Sequence, residues 1–326
     1  MSKEQLKGWN HVPNVPIKVS PFFSWPPNPK AMFSWVWNAW FLISEKLIIV
    51  GIAFISLYYF QPPLEETKTF AFGWIAQMYI RNLVLMCLVA GGLHLYFYTF
   101  TKQGQKLRYD PRALMKNGKQ FTLGGQIKDN MFWTLASGVS IWTAYEVLLF
   151  WAMANGYAPV LNRQTSPIWF IALFLFVPVW ESFYFYWIHR LLHVPFFYKH
   201  FHALHHRNIN VGPWSGLSMH PVEHIIYLGS ILIHFLVISH PVHILFHLQY
   251  TTLTAATTHT GYEGLMVKDK NRLALGTFHH QMHHRYFECN YGSLEIPWDK
   301  LFGSFHDGTQ EADARMKERR KRIMGG

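Results

Sequence analysis

The chain has 326 residues, half of them hydrophobic and 17% aromatic, and only 14% charged, where ordinary chains carry roughly 25%. That balance excludes an ordinary soluble domain and points to a membrane protein. The formal net charge of +11 does not indicate nucleic acid, because the lysines and arginines gather beside apolar stretches, as the flanks of membrane spans do.

The N-terminal "MSKEQLKGWNHVPNVPIKVS" is polar and basic without an apolar run, so no cleavable signal peptide is expected. Two cysteines, Cys87 and Cys289, make no disulfide framework. "SWPPNPK" (24–30) and the run Trp35, Trp37, Trp40 read as a turn leading into an interfacial aromatic belt. Four apolar stretches then come close to the ~20 residues that a hydrocarbon core demands: 41–60, 82–100, 131–153 and 167–188. A fifth region, 224–258, is interrupted at Ser239-His240-Pro241 and reads as two short helices. The loop 101–130 holds Lys102, Lys106, Arg108, Arg112, Lys116, Lys119 and Lys128 against Asp110 and Asp129. By the positive-inside rule it is cytoplasmic, and four spans place the N-terminus and everything after Ile188 on that same side. The basic tail "RMKERRKR" (315–322) suits either anionic headgroups or a solvated helix.

Most of the 20 histidines lie after residue 188. "YWIHRLLH" supplies His189 and His193, and "FHALHH" supplies His202, His205 and His206. "SMHPVEH" brings His220 and His224; "THTGYEG" and "FHHQMHHRYF" bring His259, His279, His280, His283 and His284. On a helix, residues three and four apart share a face, so H-x-x-x-H and H-x-x-H-H aim two or three imidazoles at one point. A single such pair has a bland reading as packed histidines. Several in one apolar chain would be a solvation burden unless metal ions satisfy them together. Eight or more ligands exceed what one ion holds, so two ions are implied; imidazole alone leaves zinc, copper, iron and nickel open. His94 and His234, single histidines inside apolar stretches, read as hydrogen-bonded packing residues. Glu181 lies two turns before His189 inside an apolar helix, where acids are functional by default, and is read as a carboxylate orienting a ligand imidazole. Asn290, Tyr291 and Gly292 read as a turn supporting the last cluster.

"YWIHRLLH", "HALHHRN", "MHPVEH", "HTGYEG" and "HHQMHHRYFECNYG…WDKLFGS" occur in the order found in the sterol desaturase/fatty acid hydroxylase family, which residues 167–306 resemble. Residues 282–304 look most like the sterol C-5 desaturase branch. The resemblance implies an all-α integral membrane protein of about four transmembrane helices with a helical, histidine-rich di-iron domain on the cytoplasmic face. The chain would divide into an N-terminal cytoplasmic segment (1–30), membrane helices with the basic loop 101–130 (31–166), a catalytic domain (167–306) and a basic tail (307–326). The implied ligands of two Fe ions are His189, His193, His202, His205, His206, His280, His283 and His284, with His259 a further family histidine and His220 at a family His-Pro pair. His224 and His279 stand behind these as supporting candidates, together with Asn290 and Glu181. Fatty acid hydroxylases carry a second histidine four residues after the equivalent of His259; here that position is Glu263, either a carboxylate ligand or a site this branch lacks.

The implied reaction uses O2 and two electrons to desaturate a membrane lipid, most simply a sterol. Hydroxylation of a fatty acid, methylsterol, carotenoid or ether lipid shares the same ligand pattern. With no haem or flavin fingerprint in the chain, electrons are expected from a separate cytochrome b5-like or ferredoxin-like donor, which the basic loop 101–130 would suit as a dock. The membrane would be endoplasmic reticulum in a eukaryote and the inner membrane in a bacterium. From another class, a non-catalytic metal-binding or metal-transport membrane protein would place its ligands along a span, whereas these cluster after the fourth apolar stretch.

Overall fold

The computed structural model describes residues 8–41 and 44–324. Residues 1–7, Leu42 and Ile43 of the first apolar stretch, and Gly325 and Gly326 lie outside the described residues, as do the side chains at 317 and 319–324 of the basic tail.

Asn28 starts the first helix: its side chain accepts the Ala31 amide at 3.0 Å, and Pro29 fills the first position, where no amide is needed. This helix, α1 (Pro29–Trp40), buries none of its side chains. Phe33, Trp37 and Phe41 stack along one exposed row, with ring centroids 5.8 and 5.2 Å apart, an arrangement suited to a headgroup boundary. Ser44 caps α2 (Glu45–Phe60). Taken together as Pro29–Phe60, these two helices form one of four segments long and apolar enough to cross a membrane. The others are α3 (Phe72–Thr99), α4 (Gln126–Ala154) and α5 (Pro167–Leu192).

On α5, Ile168, Ile171, Leu175, Val179, Phe183 and Trp187 form an exposed apolar row at helical spacing. The opposite face buries Leu173, Phe174, Val177, Glu181, Tyr186 and His189. A helix with apolar residues on both faces is solvated by lipid rather than water. The chain is therefore a mostly helical, integral membrane protein.

The second span begins at Phe72, ten residues before the sequence places it. Arg81 ends the apolar run on paper, but in the fold it pairs with Glu146 of α4, and Asn82 donates to the same carboxylate at 2.8 Å. Gln61 accepts from Arg81 at 2.5 Å. A charge that is paired and hydrogen-bonded can sit inside a span. Likewise α4 starts at Gln126, inside the basic loop.

Beyond α5, residues 195–206 form a short helix, α6, whose Tyr198–His202 portion is a widened π-type turn. Next come α7 (Pro221–Phe235) and α8 (Pro241–Thr258), separated at the Ser239-His240-Pro241 break. Helix α8 is buried along nearly its whole length and packs against α2, α4 and α5, the centre of the core. A two-stranded hairpin follows, β1 (Gly264–Val267) and β2 (Lys270–Ala274), turned by Lys268 and Asp269, both at positive φ. Then come α9 (Phe278–Tyr286), α10 (Trp298–Leu301) and α11 (Gln310–Met324).

The helices have two ends. At one, Asn155 donates to the Lys68 carbonyl at 3.0 Å, and Ser239 meets Pro159 and Leu161. At the other, Arg207 pairs with Asp129, Asn208 accepts from Gln126 at 3.0 Å and Asn130 at 2.8 Å, and Gln103 donates to the Gly264 carbonyl at 3.0 Å. The basic loop and the histidine clusters therefore share one end of the molecule.

Candidate metal centre

Four helices bring the imidazoles together. The last turn of α5 supplies His189 and ends at His193; α6 supplies His202, His205 and His206; α9 supplies His280, His283 and His284, and His259 caps the end of α8. Thr277 caps α9 by accepting the His280 amide at 3.2 Å, which starts the helix with the ligand face turned inward.

The rings fall into two groups, each with its donor atoms within 4.8 Å of one another: His189, His193, His202, His206 and His283 in one, His205, His259, His280 and His284 in the other. Two of the His-His pairs send one ring to each group: His205 and His206 diverge, as do His283 and His284. The groups therefore lie side by side, with the His206 and His284 ring centroids 4.9 Å apart.

Backbone carbonyls fix the tautomers. His189 Nδ1 lies 2.6 Å from the Tyr291 carbonyl, His283 Nδ1 2.6 Å from that of Cys289 and His259 Nδ1 2.7 Å from that of Ala255. A carbonyl only accepts, so these Nδ1 atoms carry the proton and the Nε2 lone pairs face inward. In the first group, the Nε2 atoms of His193, His206 and His283 form a triangle with sides of 3.1, 3.2 and 3.0 Å. In the second, those of His259, His280 and His284 form one with sides of 3.0, 3.0 and 3.2 Å. Shared protons cannot satisfy three converging nitrogens, at least one of them a bare acceptor. A cation satisfies all three.

A donor set made up of imidazole nitrogens suits iron among other transition metals.

Burial, and then the positive charge that neighbouring rings would carry, push His193, His202, His206, His280, His283 and His284 well below their ordinary 6.5; burial also pushes His205 down, and brings His259 to about 4. The rings are neutral at pH 7 and ready to bind.

The turn behind the ligands explains the "NYG…WD…GS" pattern. Asn290 adopts φ of +57°, donates to the His279 and His306 carbonyls at 3.0 and 3.1 Å, and accepts the His306 amide at 2.7 Å. Buried Asp299 accepts the Tyr291 and Gly292 amides at 2.8 Å each and the Ser304 hydroxyl at 2.7 Å. This clamp aims the Tyr291 carbonyl at His189.

Several candidates from the sequence stand elsewhere. His220 is in neither group; its Nδ1 caps α7 by accepting the Val222 amide at 3.2 Å. His224 lies against Ser137 at 3.0 Å and the Leu217 carbonyl at 3.0 Å. Glu263 is in neither group and meets His11 Nε2 instead. Glu181 contacts His247, 3.2 Å away, rather than a ligand ring. His279 faces Asp299 at 3.6 Å. The sequence reading missed Glu223, whose buried carboxyl lies 2.7 Å from His202 Nδ1, the arrangement by which a carboxylate holds a metal-binding imidazole. Its signal was the "HPVEH" segment, read only for its histidines.

A cavity of about 1140 Å³ opens on the rings. His189, His202, His205, His259 and His280 line one end; Phe185, Leu192, Met219, Tyr227 and Trp35 are among the apolar lining. Residues 16–21 and α1 contribute the outer wall. The N-terminal segment is pinned there by the Ile17 amide on the Asp307 carbonyl at 2.8 Å and by Trp9 against Phe278. In the wall, Lys46 pairs with Glu295 at 2.8 Å. Burial alone would raise the Glu295 carboxyl, but the ammonium outweighs it and holds the group at about 2.

Comparison with known proteins places this site in context. The fatty acid hydroxylase family model matches residues 174–304. Lathosterol oxidase of Rattus norvegicus is 31% identical over 261 residues, covering 76% of this chain and 82% of the relative. A Delta(7)-sterol-C5(6)-desaturase of Nicotiana tabacum is 26% identical over 253 residues, covering 75% and 86%. A Delta(7)-sterol 5(6)-desaturase of Gibberella zeae is 33% identical over 130 residues, but that match covers 39% of this chain and 40% of the relative. No solved structure matches. On the family match and on the rat relative's length and identity, the chain belongs to the sterol desaturase/fatty acid hydroxylase family.

Proposed function

We propose that the chain is a membrane oxidoreductase with two non-haem iron ions, which desaturates a lipid C–C bond, most simply in a sterol ring. The observation that carries this is the pair of converging nitrogen triangles at the end of a largely apolar cavity. The relatives named for sterol desaturation and lathosterol oxidation support the substrate class.

His189, His193, His202, His206 and His283 would hold one ion; His205, His259, His280 and His284 would hold the other. Iron bound there would use dioxygen and two electrons to remove hydrogen from unactivated C–H bonds. The protein's own work is positioning and dryness. Apolar walls hold a hydrocarbon ring against the His189 and His259 end and keep bulk water away, and misplacement by about 1 Å can cost a hundredfold in rate. Glu223 and the three backbone carbonyls hold the rings in the binding tautomer.

A separate one-electron carrier would dock at the histidine end, where the basic loop 101–130 lies, on the cytoplasmic side by the positive-inside rule. Reduction should then slow steeply with ionic strength.

The test is expression in a sterol-making host that lacks its own C-5 desaturase, followed by mass spectrometry of membrane lipids. A sterol two hydrogens lighter is the expected product. An unchanged sterol pool alongside an oxygenated fatty acid would transfer the reading to lipid hydroxylation.

A further inference from the structure

Four buried polar residues that take no part in binding metal form a continuous chain through the helical core. Ser239 Oγ lies 2.6 Å from His234 Nδ1, His234 Nε2 3.0 Å from His247 Nδ1, and His247 Nε2 3.2 Å from Glu181 Oε2. All four are buried. Ser239 sits beside the first turn of α5, where Trp169 donates to the Ile238 carbonyl at 3.1 Å and the Leu161 amide to that of Ser239 at 3.0 Å. Exposed Leu236 and Ile238 flank it in the same loop. This is the end of the bundle opposite the metal ligands. Glu181 lies midway along α5 and lines the cavity that His189 lines eight residues later, ~12 Å further along the helix axis. The chain thus ends, at Glu181, where the cavity begins.

The partners allow two complete hydrogen-bond polarities. With Glu181 ionised, Ser239 Oγ–H donates to His234 Nδ1, His234 Nε2–H to His247 Nδ1, and His247 Nε2–H to the carboxylate. With Glu181 protonated, every bond reverses: Glu181 donates to His247 Nε2, His247 Nδ1–H to His234 Nε2, and His234 Nδ1–H to Ser239 Oγ. The Ser239 hydroxyl then needs a new acceptor, and the Val237 carbonyl is 2.8 Å away. A proton that arrives at Ser239 therefore emerges at Glu181 after one hop per bond, with every group neutral at the end. Ser230, 3.2 Å from His247 Nε2, gives that ring a partner as it turns back to the first polarity. Titratable groups facing the chain include the phenols of Tyr184, Tyr227 and Tyr250 around Glu181 and the His243 imidazole near His234, and Glu45, Lys46, Glu223 and Glu295 line the same cavity as Glu181.

We propose that Ser239, His234, His247 and Glu181 form a proton path that feeds the cavity from the membrane face opposite the metal ligands. The inference rests on the oxygen-dependent reading above. Desaturation removes two C–H hydrogens and consumes one dioxygen, two electrons from the external carrier and two protons, forming one C=C bond and two waters. The path supplies protons without opening the histidine end to water.

The test uses the full chain in proteoliposomes, oriented and bearing its metal. Infrared difference spectra follow the Glu181 carboxyl band, assigned by its loss in Glu181→Gln, after a pH jump on one side. The band should respond to acid on the Ser239 side, and His234→Gln or His247→Gln, which keep a hydrogen-bonding side chain but cannot pass a proton on, should slow it at least tenfold. His243→Gln, outside the chain, should leave it unchanged. This readout needs no turnover, so it stands apart from whether sterol is the substrate. On a lathosterol probe, the same two variants should lower kcat about tenfold at unchanged KM and raise the solvent deuterium isotope effect. A carboxyl band that answers only to the histidine side, or that is as fast in His234→Gln and His247→Gln as in the wild type, overturns the path. Should both variants fail to fold, the side to which the wild-type band responds decides alone.

Discussion

At the scale of single residues, the site depends on which nitrogen of each ring keeps its proton. Tyr291, Cys289 and Ala255 do this through backbone carbonyls, which no composition or motif reveals, and Glu223 does it through a side chain. Glu223→Gln retains the size of that side chain but weakens its hold on His202. Loss of such a partner typically costs 10–100-fold in metal affinity. Metal analysis of the purified variant during chelator titration should therefore show one ion lost at ten-fold or more lower chelator than in the wild type, with the helical signal intact; retention equal to wild type would remove the assigned role. Asp299→Ala strips acceptors from two buried amides and a hydroxyl, and a buried group left unpaired costs roughly 1–3 kcal/mol. Thermal unfolding in detergent should drop by several degrees, with metal content reduced because the Tyr291 carbonyl is no longer aimed at His189.

At the scale of elements, much was legible. Helical spacing anticipates that rings four apart meet, as His189 and His193, His202 and His206, and His280 and His284 do, but not that the intervening His205 and His283 join the other group; the Ser239-His240-Pro241 break divides α7 from α8. Arg81 hid the true start of α3, because a lone sequence cannot show that Glu146, on another helix, neutralises it. The hairpin at 264–274 was hidden too: its turn is Lys268-Asp269, both at positive φ, in place of the usual Asn-Gly. The Arg81–Glu146 pair yields its own prediction. Removing one partner leaves a buried charge unpaired and should cost about 3–5 kcal/mol, whereas replacing both by apolar residues of similar volume should be near neutral. Denaturation of Glu146→Leu against the Arg81→Met/Glu146→Leu double variant checks this; equal losses in the two would contradict it.

At the scale of the whole molecule, four apolar spans carry a polar, metal-ready end, and a cavity of about 1140 Å³ runs between them under a lid of N-terminal residues and α1. The candidate ligands come from four separate segments, so ions bound there would tie α5, α6, α8 and α9 together, and ions that bind only the folded state stabilise it. Stripping the metal should therefore lower the thermal midpoint substantially, and restoring ferrous iron should recover it. Every part of this reading depends on two cations bound side by side. Mössbauer spectroscopy of the iron-57-loaded, purified protein, paired with elemental analysis, tests that most directly. The account predicts two iron ions per chain with mutually coupled spins; a single ion, two uncoupled ions, or a folded chain that takes up no iron would contradict it.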